Sequence, residues 1–437
     1  MKADQISKNI IVFSVFKEEN ISNERPTMKR KSFTTRSLNV PYAKNDPHRA
    51  LSMPIYNSVA FEFETAEDIA ANFRGELPAH AYSRSGNPTV EYFEHKLKAL
   101  TGAHQALAVA SGMAAISATI MAVSKAGDNI VSGKNLFGHT TALFAQSLNS
   151  FGLETRFADL NFPEKIEKLI DENTRAIYFE TVTNPQLEIA DIEKLSAVAK
   201  KHGLLLIADS TVTPPVSFHA ASFGVDVELM STTKFISGGA TSVGGAVIDY
   251  GTYDWTLNPN TREFSERFGK DAFIARLRKN YFRNFGACMS PQIAQLQIAG
   301  LDILELRFER CYQNTMVLGE FLLKHKKVAR VDYPGLPSSP YYRLALKQFE
   351  GKPGAILTFD LESQEECFRF MNRLKIIRRA TNLNDNKSLI IHPYSTIYNE
   401  FTELQRAEMG IRNTMMRLSV GIEGADDLME DIEQALS

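Results

Sequence analysis

The feature that most restricts this chain is an alternation that starts near residue 104 and continues to about 250. Short apolar runs rich in β-formers trade places with stretches of helical spacing. "ALAVA" (106–110) reads as a strand, and "SGMAAISATIMAV" (111–123) as a turn into a helix. "NIVSG" (129–133) is a strand, "TTALFAQSLNSFG" (140–152) a helix and "ETRFA" (154–158) a strand. "PEKIEKLIDEN" (163–173) predicts a helix, and "RAIYFE" (175–180) a continuous buried strand. "DIEKLSAVAKKHG" (191–203) sets Ile192, Leu195, Val198 and Ala199 on one helical face, with Asp191 at the positive end and Gly203 as a cap. "LLLIADS", "VDVELMS" and "GGAVIDYG" supply three further strands. Strands alternating with crossover helices predict an α/β fold, a mostly parallel, doubly wound sheet covered on both faces.

The flanks read differently. A chain of 437 residues exceeds one simple core, so a large domain at 87–286 and a second domain at 287–437 are expected. The second opens with a long helix broken near Gly300 and carries strands at "GAILTFDL" and "MRLSVGIE", a smaller α+β unit. Residues 28–86, rich in Pro, Asn and Tyr without strong periodicity, predict an extended arm that packs on a neighbouring subunit. Residues 1–27 predict a polar extension, with Met28 as an alternative start. The apolar run at 10–16 is too short and too charge-flanked for a signal or a membrane span. A net charge of −2 with both signs interspersed offers no field for nucleic acid or an anionic membrane. Cys288, Cys311 and Cys367 lack metal or redox spacing, which predicts reduced thiols in a cytoplasmic protein and no metal.

Open α/β sheets bind ligands at the carboxyl ends of their strands. Asn184, Asp209 and Lys234 follow three successive strands at intervals of 25 residues. Lys234 sits among small hydroxyls and glycines in "STTKFISGG" (231–239). It reads either as a surface lysine in a turn or as a desolvated amine used as a nucleophile. Asp209 closes an apolar run, either as a turn cap or as the partner of a buried cation. Ser111, Gly112 and Met113 open a helix, where free N–H groups favour an anion. A protonated pyridine nitrogen would be the missing cation and a phosphate the anion, so the set describes pyridoxal 5′-phosphate (PLP). Lys234 would capture its aldehyde and shuttle protons, Asp209 would hold the ring nitrogen protonated, and Asn184 would bind the ring oxygen. Gly112, Met113, Ser231 and Thr233 would receive the phosphate, and Thr211 lies beside Asp209 in the same site. No GxGxxG follows the first strand, which argues against a dinucleotide site.

At these motifs the chain resembles the Cys/Met-metabolism family of PLP enzymes, the cystathionine γ-synthase group of fold-type I (aspartate aminotransferase-like) transferases. The resemblance rests on "YSRSGNPTVEYFEHKLKALTGA" (82–103), "ASGMAAI", "ETVTNPQLEIADI", "IADSTVTPP", "STTKFISGG", "SLIIHPYST" and "MRLSVGIE", in order from about residue 33 to the end. It implies that Tyr82 and Arg84 reach the cofactor phosphate of a neighbouring subunit in a homotetramer of two active dimers. It implies that Arg417 clamps the substrate carboxylate, with Asn382 where relatives have an assisting serine. Phe137 stands where many members stack a catalytic tyrosine on the cofactor, and so keeps the stack without the hydroxyl. His139 stands where some γ-lyases have a cysteine; it reads equally as a helix-start residue without chemistry. The implied reaction is γ-replacement on an O-acylated homoserine, with O-acetylhomoserine and sulfide giving homocysteine and acetate. Sulfhydrylation of O-succinylhomoserine, cystathionine γ-synthesis and methionine γ-elimination are the neighbouring alternatives, and a non-catalytic PLP-fold binding protein is the alternative of another class.

Overall fold

The computed structural model describes residues 31–42 and 46–437; the expected extension at 1–27 lies outside them. Seven strands form the main sheet: β1 (Gln105–Val109), β2 (Asn129–Gly133), β3 (Glu154–Ala158), β4 (Thr174–Glu180), β5 (Leu205–Asp209), β6 (Val227–Met230) and β7 (Gly245–Asp249). Their order is β1-β7-β6-β5-β4-β2-β3, and only β7 runs against its neighbours. β2 and β7 are buried along their whole length, as a sheet covered on both faces requires. The fold is the doubly wound α/β sheet that the alternation predicts.

Local signals act where expected. The helix Ile192–His202 starts at Asp191, whose carboxylate accepts from the Lys194 N–H, and stops at Gly203 with φ 64°. Two elements depart from the pattern. The helix expected at 163–173 is confined to Pro163–Glu167, because Asp171 instead accepts from the Asn173 N–H and Thr174 hydroxyl in a turn. The stretch after residue 140 widens into a π-helical turn at Leu143–Leu148. The arm region is also more regular than its sequence suggests. A short helix, Phe33–Leu38, begins at Ser32 and buries Phe33 in its own chain's core. A second, Ala66–Arg74, follows it. Between the two helices the side chains are largely exposed, among them Leu51 and Val59, and Phe73 of the second helix is exposed as well.

The helices Pro291–Asp302 and Leu304–Lys324 break at Ile303, close to the expected position. They lead into a five-stranded sheet of β8 (Arg330–Asp332), β9 (Ile356–Asp360), β10 (Arg378–Arg379), β11 (Leu389–Ile391) and β12 (Met415–Ser419). One apolar cluster joins Ile177, Phe179 and Leu206 of the large sheet to Phe349, Ile356 and Leu383 of this region. The carboxyl ends of β4, β5 and β6 therefore face residues 381–417 across a cleft.

Candidate active site

That cleft holds a cavity of about 860 Å³. Of the residues given a binding or catalytic role from the sequence, Ser111, Gly112, Met113, Phe137, Asn184, Asp209, Thr211, Ser231, Thr233, Lys234, Asn382 and Arg417 line it. Tyr82 and Arg84 do not. Tyr82 is 43% exposed, and the Arg84 guanidinium lies over its ring at 5.4 Å while donating to the Arg283 carbonyl at 2.7 Å.

β6 and β7 are antiparallel neighbours joined by the loop that carries Lys234, so the lysine leaves the sheet at its binding edge. Its Nζ donates to the Asn382 side-chain oxygen at 2.7 Å. Burial, and next the Arg417 charge, lower its pKa to about 8. Asp209 accepts from the Thr211 N–H at 2.9 Å and from the Tyr178 hydroxyl at 3.3 Å. It makes no ion pair with any described residue, and burial raises its pKa. The register pairs Glu180 with Asp209 across β4 and β5. Glu180 is raised well above the usual carboxylate range, first by burial and then by the Asp209 charge.

Arg417 is 2% exposed. Its guanidinium donates to the Asn184 side-chain oxygen at 3.1 Å and to the carbonyls of Thr381 and Asn382 at 3.0 and 3.1 Å, and its Nε has no partner among the described residues. A buried arginine held only by neutral oxygens keeps its charge available for a carboxylate.

The helix Gly112–Val123 points its first turn at the cavity, with Ser111 capping the Ala114 N–H. Gly112 is required by packing: a Cβ there would lie 2.6 Å from that of Ser231. Thr233 is also engaged within its own loop. Its hydroxyl donates to the Gly244 carbonyl at 3.2 Å and accepts from the Gly244 N–H at 3.0 Å. The Thr211 hydroxyl accepts from the Ser231 N–H at 2.8 Å. These threonines brace the lysine loop.

A model of the Cys/Met metabolism PLP-dependent enzymes matches residues 34–437. The chain belongs to that family. It is 36% identical to O-acetyl-L-homoserine sulfhydrylase 1 of Thermus thermophilus, over 93% of this chain and 100% of that one. It is also 36% identical to the L-methionine gamma-lyase of Pseudomonas putida, over 92% and 97%. Among solved structures it resembles an O-acetylhomoserine sulfhydrylase that catalyses sulfur transfer in the methionine biosynthetic pathway of Wolinella succinogenes. The identity is 47% and the TM-score 0.75, over 81% of this chain and 99% of that one. A putative O-acetylhomoserine (thiol)-lyase of Campylobacter jejuni, which carries pyridoxyl-lysine phosphate, matches at 33% identity and a TM-score of 0.86, over 93% and 100%.

The family's cofactor is PLP, and the residues of this cavity fit it. Asp209 lacks a cation among the described residues, Lys234 is an amine of lowered pKa, and the first turn of a helix meets the close-packed Gly112–Ser231 contact. A sequence reading passes over Glu180 and Tyr398. Glu180 is detectable by the argument used for Asp209, since it too ends an apolar run. Its carboxylate accepts from the Phe137 N–H at 2.7 Å and so fixes the start of the segment that carries Phe137. Tyr398 gives no signal in the sequence. Its hydroxyl lies 3.1 Å from the Asn184 carbonyl and 3.2 Å from that of Leu136, joining its own segment to those that carry Asn184 and Phe137. Among the described residues no helix is long and apolar enough to cross a membrane.

Proposed function

We propose that this enzyme replaces the acetyloxy group of O-acetylhomoserine with sulfide, giving homocysteine and acetate. The observation that carries this reading is the composition of the cavity wall. Phe137 stands there without a hydroxyl, so that position offers no acid to a poor leaving group. Acetate departs as a stable anion and needs little such help. Among the described residues of the wall, Lys234 and Arg417 are the lysine and the arginine, and Glu400 adds an exposed carboxylate. That balance suits an uncharged acetyl group better than a succinyl group with its free carboxylate.

Bound in this cavity, PLP supplies an electron sink for charge that develops at Cα. Arg417 grips the substrate carboxylate, and Lys234 takes the Cα proton and returns it to the carbon chain. Asp209 would pair with the ring nitrogen and Asn184 with the ring oxygen, and Phe137 would shield the ring from water. Ser111, Gly112, Met113, Ser231 and Thr233 would hold the phosphate, with Thr211 bracing Ser231. Tyr82 and Arg84 serve the neighbouring subunit's phosphate, a role supported by their exposure outside their own chain's cavity. We place this contact within a homotetramer of two active dimers, with the arm at 28–86 as the interface. Exposed Leu51, Val59 and Phe73 supply apolar area for it. We place the protein in the cytoplasm, where its three free cysteines stay reduced.

Purified enzyme should release homocysteine from O-acetylhomoserine plus sulfide, faster than from O-succinylhomoserine. It should release little 2-oxobutanoate from methionine. Faster breakdown of methionine would establish a γ-lyase instead, and a colourless protein without turnover would leave only a binding role.

A further inference from the structure

Asn382 does not point to the substrate side alone. Asn382 Nδ2 donates to Asp385 Oδ2 at 3.0 Å, and Asn382 Oδ1 accepts from Lys234 Nζ at 2.7 Å. The orientation of this amide is dictated by its neighbours. An ionised carboxylate only accepts, so the NH2 must face Asp385; the lysine then meets an oxygen. Asp385 is 3% exposed and held in turn by the Lys387 N–H at 3.1 Å, with the Lys387 ammonium 3.6 Å away. Asn386 ties the same turn to the lysine loop through its N–H and the Gly238 carbonyl, at 2.6 Å.

We propose that Asp385 is a positioning residue which, through Asn382, aims the Lys234 amine into the cavity. This inference rests on the PLP site described above. It does not depend on which acyl group the substrate carries. A neutral amine that donates one N–H to Asn382 Oδ1 has its lone pair turned away from Asn382, free for a proton from the substrate. Once protonated, the ammonium keeps the same hydrogen bond, with the Asp385 charge behind it. The same Asn382 offers its backbone carbonyl to Arg417 at 3.1 Å, so one residue ties the carboxylate-binding group to the base.

Other charges bear on this chain of contacts. Arg417 on β12 opposes a proton on Lys234, and Asp385 favours one. Asp209 on β5 lines the same cavity. Arg307 and Cys311, on the helix Leu304–Lys324, sense the Asp385 charge from the other side, and Glu423 bears on Cys311 from the same region.

The test is Asp385→Asn in the holoenzyme. The amide of that variant cannot accept from both the Lys387 N–H and Asn382 Nδ2 as two carboxylate oxygens do. The Asn382 amide is then free to turn its NH2 onto the lysine nitrogen and block it. The expected result is kcat lower by roughly ten- to a hundredfold, with KM changed by less than about threefold. The pH midpoint of the cofactor's visible band should move towards acid by at least about half a unit, because a negative charge that favours the protonated nitrogen is gone. Asn382→Leu should give the same kcat loss, and the double variant should add little to either. Unchanged kcat and midpoint in Asp385→Asn would overturn the proposal. So would additive losses in the double variant, or a rise in KM alone. Should Asp385→Asn fail to fold, Asn382→Leu with the spectral titration decides alone. If the wild type does not turn over O-acetylhomoserine, the substrate reading fails, while the midpoint shift still tests the contact.

Discussion

Arg412 and Arg417 lie five residues apart at one strand, and the protein uses them in opposite ways. Arg412, just before β12, meets both oxygens of Asp360 through Nε at 3.0 Å and adds a 2.7 Å contact through Nη2. Asp332 and Thr414 complete that cluster. Arg417, in the middle of β12, stands opposite Thr358 of β9 and Ile391 of β11, and no carboxylate of the described residues pairs with it. The acids divide the same way. Asp360 is neutralised by Arg412, whereas Asp209 has no cation among the described residues. The contrast separates structure from chemistry at these two pairs: Arg412 and Asp360 satisfy each other and hold the small sheet, while Arg417 and Asp209 lack an ionic partner among the described residues and face the cavity.

Lys234→Ala should have the largest effect. It removes the group proposed both to capture the cofactor and to move protons, so turnover should fall on the order of 10⁴-fold and the lysine-bound visible band should vanish. A variant that kept that band would break the contrast at its centre. Next come the two arginines, tested as a pair. Arg417→Ala should lower kcat/KM by about 3 kcal/mol, close to 10²-fold, while leaving the unfolding midpoint almost unchanged. Arg417→Lys should rescue little, because one ammonium cannot match a forked guanidinium. Arg412→Ala should do the reverse: it strands the buried Asp360 and costs about 2–3 kcal/mol of stability, with kinetics little altered. Denaturant melts beside steady-state kinetics decide the matter, and an exchange of the two phenotypes would refute the division.

A smaller effect sharpens it from the stability side. The Lys234 pKa falls from 10.5 in the unfolded chain to about 8 in the fold. Between those values the unfolded chain binds the extra proton, so the stability of the cofactor-free protein should rise with pH across that window. Lys234→Met should be more stable than wild type near pH 7 and should lose most of that advantage above about pH 10, as read by denaturant midpoints. The smallest expected change is in Phe137→Tyr. Restoring a hydroxyl beside the leaving group should raise thiol release from methionine a fewfold, with sulfhydrylation barely altered, as measured by 2-oxobutanoate formation.

Much of the site was legible in the sequence because its parts obey local rules. A charged residue that ends an apolar strand, or a Ser-Gly turn that opens a helix, is visible in a short window. Thus Asn184, Asp209, Lys234 and the segment at Ser111 group together on sequence grounds alone. The pair Tyr82 and Arg84 enters only through family resemblance, since nothing local distinguishes it, and neither residue lines this chain's cavity. The helix at 33–38 was missed because its one buried anchor of any size, Phe33, leaves no periodic face. Asp385 and Tyr398 were missed because their partners lie on other segments: Asp385 meets Lys234 through Asn382, and Tyr398 meets Leu136 and Asn184.

The order of residues was enough to establish the alternation of strands and helices, hence a parallel sheet with a binding edge, and the residue types gathered along that edge. Periodicity and caps act over a few residues, so they can be read without knowing where the chain goes next. Which charges would be satisfied was settled only when the chain folded back on itself. Whether an arginine meets an aspartate or a threonine depends on strand register, and whether a lysine keeps or sheds its proton depends on what closes over it. These are pairings between distant segments, enforced by the cost of burying charge, and they turned a set of polar residues into a site.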